Sequence, residues 1–172
     1  AQADLDSLDV WLRRMHPEPF MRCESSLWES KLEALSMEWE DMSHMEHARA
    51  VNTLLQSLQD SHAAVSAWDW IWAVEKRHGS VPIRWALEGD GLWVASSAVD
   101  GLAAGVRVLA LNGIAASDCV SIARDLGNVE GRSPVGQDRT GVHNLTAWIM
   151  GQTASDTLHV LWLDRESGTT KN

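Results

Sequence analysis

The chain predicts an α+β protein in two parts, a three-helix amino-terminal region over 1–66 and a β-rich domain with two helices over 67–172. Three observations predict it. Apolar residues recur at spacings of three and four through residues 5–58, the periodicity of helices that share a core. Glycines then separate short apolar runs over residues 79–113, and the last run ends in Asn112-Gly113, a pair that readily takes positive φ and reverses a strand.

Leu5, Leu8, Leu12 and Met15 draw one stripe of a first helix, which Pro17 and Pro19 stop because proline lacks an N–H and restricts the residue before it. A second helix is expected to open at Ser26, with Glu29 completing a capping box, and to carry Trp28, Leu32, Leu35, Trp39 and Met42 on one face. Ser43 and Glu46 repeat the device for a third helix bearing Met45, Ala48, Val51, Leu55 and Leu58. Three antiparallel helices with one core are the simplest packing.

Strands are expected over 81–87, 92–96 and 106–111, each bounded by Gly, Asp or Asn. Ser117 and Asp118 are placed to cap a helix that carries Val120, Ala123 and Leu126 and ends at Gly127. A further helix is expected over about 139–150, using Val142, Leu145, Trp148 and Ile149. A strand over 157–163 then leads into a hairpin that reads as cut off at residue 172.

The formal net charge is −10, and residues 1–60 hold 12 acidic and 5 basic side chains. Three lysines and eleven scattered arginines give no phosphate-binding patch, so nucleic acid is not expected as a partner. No apolar run approaches the ~20 residues of a transmembrane helix. The chain begins Ala1-Gln2-Ala3 without methionine, which reads as a trimmed chain or as the product of signal-peptide removal, and gives an extracytoplasmic expectation. Cys23 and Cys119 lack metal-site spacing and read as two buried thiols or, in an oxidising compartment, one disulfide. Ten tryptophans stand beside one phenylalanine and no tyrosine. Trp68, Trp70 and Trp72 alternate as on a strand, forming either a packing face or the lining of an apolar groove.

Several segments in this order together resemble the amino-terminal part of carboxyl-terminal processing (tail-specific) serine peptidases. They are HPEPF (His16, Pro17, Glu18, Pro19, Phe20), the helix end LQDSH with Asp60, Ser61 and His62, then VPIRW, DGLWV, the 105–113 strand and turn, and a closing strand before ESG. The resemblance implies a helical region followed by a PDZ-like domain that captures substrate, and a separate core whose serine and lysine cut it. That core is not apparent in these residues. The nearest imitation, Gly151 to Ser155 with Lys171, is interrupted by a strand-like run. This chain alone is therefore expected to be inactive, needing no metal or cofactor, with a polypeptide or peptide C-terminus and the catalytic core of the same protein as partners.

In a PDZ-like domain a guest peptide adds as a strand to an open sheet edge, and backbone N–H groups hold its carboxylate. The resemblance maps the carboxylate loop to His78, Gly79, Ser80, Val81 and Pro82, and the receiving strand to Ile83, Arg84, Trp85, Ala86 and Leu87. The facing wall is expected on the helix bearing Val120, Ala123 and Arg124. Pro82 departs from the pattern because it removes one donor. Arg84 and Arg124 are the candidates to meet an acidic terminus, or else to pair with Glu88 or Asp125.

Asp60-Ser61-His62 holds the residue types of a catalytic triad, but side chains of consecutive residues usually diverge, and the motif reads instead as a polar helix end. His16 is placed to bond a free carbonyl at the end of the first helix. His44 and His47 lie three apart and read as a solvated face, with a small metalloenzyme as the outlying alternative. A stand-alone peptide-binding adaptor, with no peptidase attached, is the second reading of the whole chain.

Overall fold

The structure, a computed structural model, describes residues 2–65, 76–77, 79–128, 133–152, 156–164 and 167–172. Trp68, Trp70, Trp72, His78, Ser155 and the expected domain boundary at 66/67 lie outside the described residues. The fold class is α+β, with an antiparallel sheet. The chain divides into two compact units, one of residues 1–65 with 128–133 and the other of residues 66–127 with 134–172.

The first unit holds α1 (Gln2–Met15), α2 (Ser25–Glu38), a 3-10 turn (Trp39–Asp41) and α3 (His44–Gln56). Its core gathers Leu12, Cys23, Trp28, Leu54, Leu55 and Leu58, with Leu8, Phe20, Leu32, Leu35 and Val51 packed around them. Trp28 is fully buried, and its indole N–H is satisfied by Asp9 Oδ1 of α1 at 2.7 Å. The α3 capping box forms as expected: Ser43 Oγ accepts the Glu46 N–H at 3.3 Å, and Glu46 Oε2 accepts the Ser43 N–H at 2.7 Å. At α2 the same pattern fails. The helix begins one residue earlier, at Ser25, with Glu24 as an extended N-cap and no side-chain cap. It also ends at Glu38, so Trp39 belongs to the 3-10 turn and Met42 is extended.

The second unit holds β1 (Ile83–Glu88), β2 (Gly91–Ser97), β3 (Arg107–Leu111), β4 (Ile114–Ala115), α4 (Ala116–Leu126), α5 (Pro134–Gln152), β5 (Val160–Leu163) and β6 (Thr170–Lys171). The strands run in the order β1-β2-β3-β5-β6, with β4 paired to β3. Asn112 at φ 47° and Gly113 at φ 81° make the tight β3–β4 turn that the pair predicts. Between Arg84 and Trp85 the partners on β2 jump from Ser96 to Val94, so Ala95 is an extra residue that bends this edge of the sheet.

α4 lies on β2 and β3, and α5 lies on α4 and β1. The core between helices and sheet holds Leu92, Val94, Val108, Leu111, Val120, Ile122, Ala123, Leu145 and Ile149. α4 starts without a side-chain cap at Ala115, and Ser117 and Asp118 fall inside the helix. α5 is longer at both ends than expected because Pro134 opens it and Gly136 and Gly141 are accommodated within it. Gly141 is required by packing, since a Cβ there would lie 1.8 Å from the Ala123 carbonyl oxygen of α4. Among the described residues no helix is long and apolar enough to cross a membrane.

Cys23 and Cys119 are both buried as free thiols. Burial pushes the Cys119 thiol up to about 11, keeping it protonated and a poor nucleophile. Iodoacetamide at pH 8 should therefore leave Cys119 unlabelled until denaturant is added, and peptide mapping that finds it alkylated in the native chain contradicts this burial. Gly141→Ala should destabilise the protein by about 1–3 kcal/mol through overpacking, outweighing the gain of up to about 1 kcal/mol in helix propensity. A rise in the urea midpoint would refute the close approach of α5 to α4.

Candidate functional site

Among the described residues β1 is an edge strand whose one paired neighbour is β2. A groove runs between β1 and α5. Its first part is a cavity of ≈ 350 Å³ lined by Gly79, Ser80, Val81, Ile83, Arg84 and Trp85 on one side, and by Arg139, Val142, His143, Thr146, Ala147 and Met150 of α5 on the other. A second cavity of ≈ 240 Å³ continues between Trp85, Ala86, Leu87 and the amino-terminal half of α5, at Val135, Asp138, Arg139 and Val142. Val135, Arg139, Val142, Thr146 and Met150 follow one another at helical spacings of three and four, so a single stripe of α5 faces the strand. Val135 lies toward the Leu87 end and Met150 toward Val81, so α5 runs antiparallel to β1.

The loop before β1 borders the first cavity at Gly79, Ser80 and Val81. Gly79 sits at φ 78°, a backbone that favours glycine, and the N–H groups of Gly79, Ser80 and Val81 make no hydrogen bond among the described residues. Pro82 contributes no donor, but its carbonyl anchors the loop by accepting the Ala98 N–H at 3.0 Å. Trp85 is pinned by its indole N–H, donated to Thr146 Oγ1 of α5 at 2.7 Å, which fixes the spacing of the two walls. The edge of β1 and the N–H groups that have no partner among the described residues, with the apolar floor, suit an extended polypeptide backbone.

The structure corrects the expected facing wall. Val120 is 2% and Ala123 0% exposed, and both lie in the core. The apolar stripe of α4, the wall that the resemblance implies, is the stripe that seals it to the sheet. Arg124 is likewise committed elsewhere. Its Nε donates to Asp138 at 2.9 Å and its Nη2 to the Gly89 carbonyl at 2.8 Å, with Asp90 at 3.5 Å, so it clamps α4 to α5 and to the β1–β2 turn. Arg84 does line the groove. Arg139 and His143, which the sequence reading missed, line it too, and the detectable signal was their place in a helical repeat with Val142 and Thr146.

The nearest imitation of a serine–lysine dyad is not supported at its lysine. Lys171 is ion-paired to Asp164 across the β5–β6 hairpin, and that lysine first, then Ser167, holds the Asp164 carboxyl well below the usual carboxylate range. Among the described residues no group of three or more potential metal ligands converges. His47 instead stacks on Trp39 with ring centroids 4.0 Å apart, its Nε2 lying 2.7 Å from the Trp39 carbonyl, while His44 is exposed.

In the helical unit the two motifs of the resemblance meet. His16 Nε2 lies 2.7 Å from Asp60 Oδ2, and its Nδ1 accepts the Glu18 N–H at 3.2 Å, so the ring does not cap a helix carbonyl as expected but donates to the carboxylate. Asp60 Oδ1 accepts the His62 N–H at 2.8 Å and lies 3.2 Å from His62 Nδ1, so Asp60 and His62 converge although Ser61, between them, is exposed and unbonded among the described residues. His16, Pro17, Pro19, Arg22, Asp60 and His62 line a cavity of ≈ 270 Å³. Phe20 points the other way, beneath the Arg13 guanidinium at 4.7 Å and against Trp28. Asp60 can orient two imidazoles, one part-buried and one 88% exposed.

The Asp60 carboxyl is lowered by the His62 N–H first and by the His16 ring second. Its folded pKa lies below its unfolded value of about 3.9, so its stabilisation is present above that value and is lost as pH falls through the folded pKa. The urea midpoint should therefore drop below about pH 4, and Asp60→Asn should show a shallower drop; identical acid profiles would show that Asp60 carries none of this stability. Comparison with known proteins finds no matching family model, no matching curated protein and no matching solved structure.

Proposed function

We propose that this chain is a peptide-recognition module, a helical region followed by a PDZ-like domain, that serves a tail-specific serine peptidase by capturing polypeptide for a Ser/Lys core located elsewhere in the protein. The observation that carries the reading is the groove between α5 and β1, an edge strand among the described residues, with backbone donors at Gly79, Ser80 and Val81 that have no partner among those residues. A guest whose carboxylate sits at those donors runs antiparallel to β1. Its backbone completes the ladder that β1 leaves open, and its alternate side chains fall between Ile83, Val142, Ala147 and Met150. The order of the HPEPF, DSH, VPIRW and strand–turn segments supports the peptidase context.

The module binds without cutting. The groove holds donors and apolar walls, and its one described hydroxyl on α5, Thr146, is occupied by Trp85. A nuclear magnetic resonance titration with unstructured peptides ending in a free carboxylate should perturb the amides of residues 79–88 first. Amidated peptides should bind about tenfold more weakly, the loss of one charge-assisted contact. Perturbations that avoid β1 and α5 would overturn the reading, and equal affinity for both peptide forms would remove carboxylate capture from it.

A further inference from the structure

We infer that the groove selects acidic polypeptide, using Arg84 and Arg139 to meet Asp or Glu side chains a few residues before the guest's C-terminus. This inference rests on the peptide-recognition reading and adds the chemistry of the guest.

The charge around the groove runs against that of the chain. The molecule carries a net −10, yet the larger cavity is lined by two guanidiniums and one imidazole, from Arg84, Arg139 and His143, and by no carboxylate among the described residues. None of these three side chains makes a hydrogen bond or ion pair among the described residues. Elsewhere in the chain carboxylates claim arginines, Asp9 and Glu29 holding Arg13 and Asp138 holding Arg124. Asp138 is the one acid among the described residues that reaches the groove, in the smaller cavity, and Arg124 already neutralises it at 2.9 Å.

Position separates this from capture of the terminal carboxylate. The free N–H groups at residues 79–81 stand at the start of β1, whereas Arg139 borders both cavities beside Trp85, further along the strand. With the guest antiparallel to β1, the residues beside Arg139 lie upstream of its last residue. Arg84 is exposed on the strand itself, within reach of the same stretch. A guanidinium forks onto a carboxylate with two parallel N–H···O bonds, and a partly enclosed groove screens that pair less than open water does. Lysine or arginine in the guest would meet like charge, so discrimination comes from repulsion as well as attraction.

The test uses the whole chain and a phage library of random C-terminal peptides, which presumes no tail sequence. Selected peptides should be enriched in Asp and Glu upstream of the final residue and depleted in Lys and Arg. Replacing those acids with Gln or Asn in the selected sequences should weaken binding roughly tenfold at low salt, with the gap closing as salt is raised. The Arg84→Gln/Arg139→Gln double variant, both positions being exposed, should select peptides without acidic enrichment. Enriched peptides that bind the native chain without an acidic bias would overturn the charge inference and leave peptide recognition standing. Failure to enrich any peptide would overturn both.

Discussion

The second unit depends on how closely the backbone of α5 approaches α4. Gly141 places no atom where the Ala123 carbonyl stands, and a Cβ at Gly127 would meet the Gln137 carbonyl oxygen at 2.2 Å, so the two helices touch backbone to backbone. That depth of contact sets where the opposite stripe of α5 lies. Arg124 locks the arrangement by bridging Asp138 of α5 and the Gly89 carbonyl of the β1–β2 turn, and Trp85 ties β1 to Thr146. The groove therefore has two walls held apart by fixed contacts, and a guest entering it need not order them.

The helical unit is organised around a buried indole and a shared carboxylate. Trp28 fills the centre, and Asp9 serves both its N–H and Arg13. At the other end Asp60 joins the segment after α1 to the segment after α3, two places 44 residues apart in the chain. Gln59, at φ 56°, turns the backbone so that Asp60 can reach both histidines, and its strained conformation is held by bonds in both directions with Arg22.

Much of this was legible in the residue order. Leu5, Leu8 and Leu12 announce α1 because a 3.6-residue period has no other easy explanation, and Asn112-Gly113 announces its turn because few pairs accept two successive positive φ values. The failures have physical causes. Ser26-Glu29 has the same capping chemistry as Ser43-Glu46, but α2 begins with Glu24 as its N-cap, so Ser26 falls inside the helix. Helix α5 starts five residues before the expected 139 because Pro134 suits a first helical position and Gly136 is carried inside the first turn, while Gly141 serves tertiary contact. Val120 and Ala123 are the facing wall that the resemblance implies, but their apolar periodicity marks only a buried face, and here that face is sealed against the sheet. His16 and Asp60 were both singled out, but their meeting is a product of tertiary structure that local spacing does not encode.

The open side of β1 has one more implication. Unsatisfied strand backbone is indifferent to whose strand arrives, so an edge fit for a guest is equally fit for another copy of itself. This edge carries its own deterrents: Pro82 denies a donor at its beginning, the extra Ala95 in the neighbouring strand warps it out of plane, and Arg84 sets like charge against like in any symmetrical pairing. The proposed receptivity to a flexible tail and the resistance to fibril-like stacking thus rest on the same few residues.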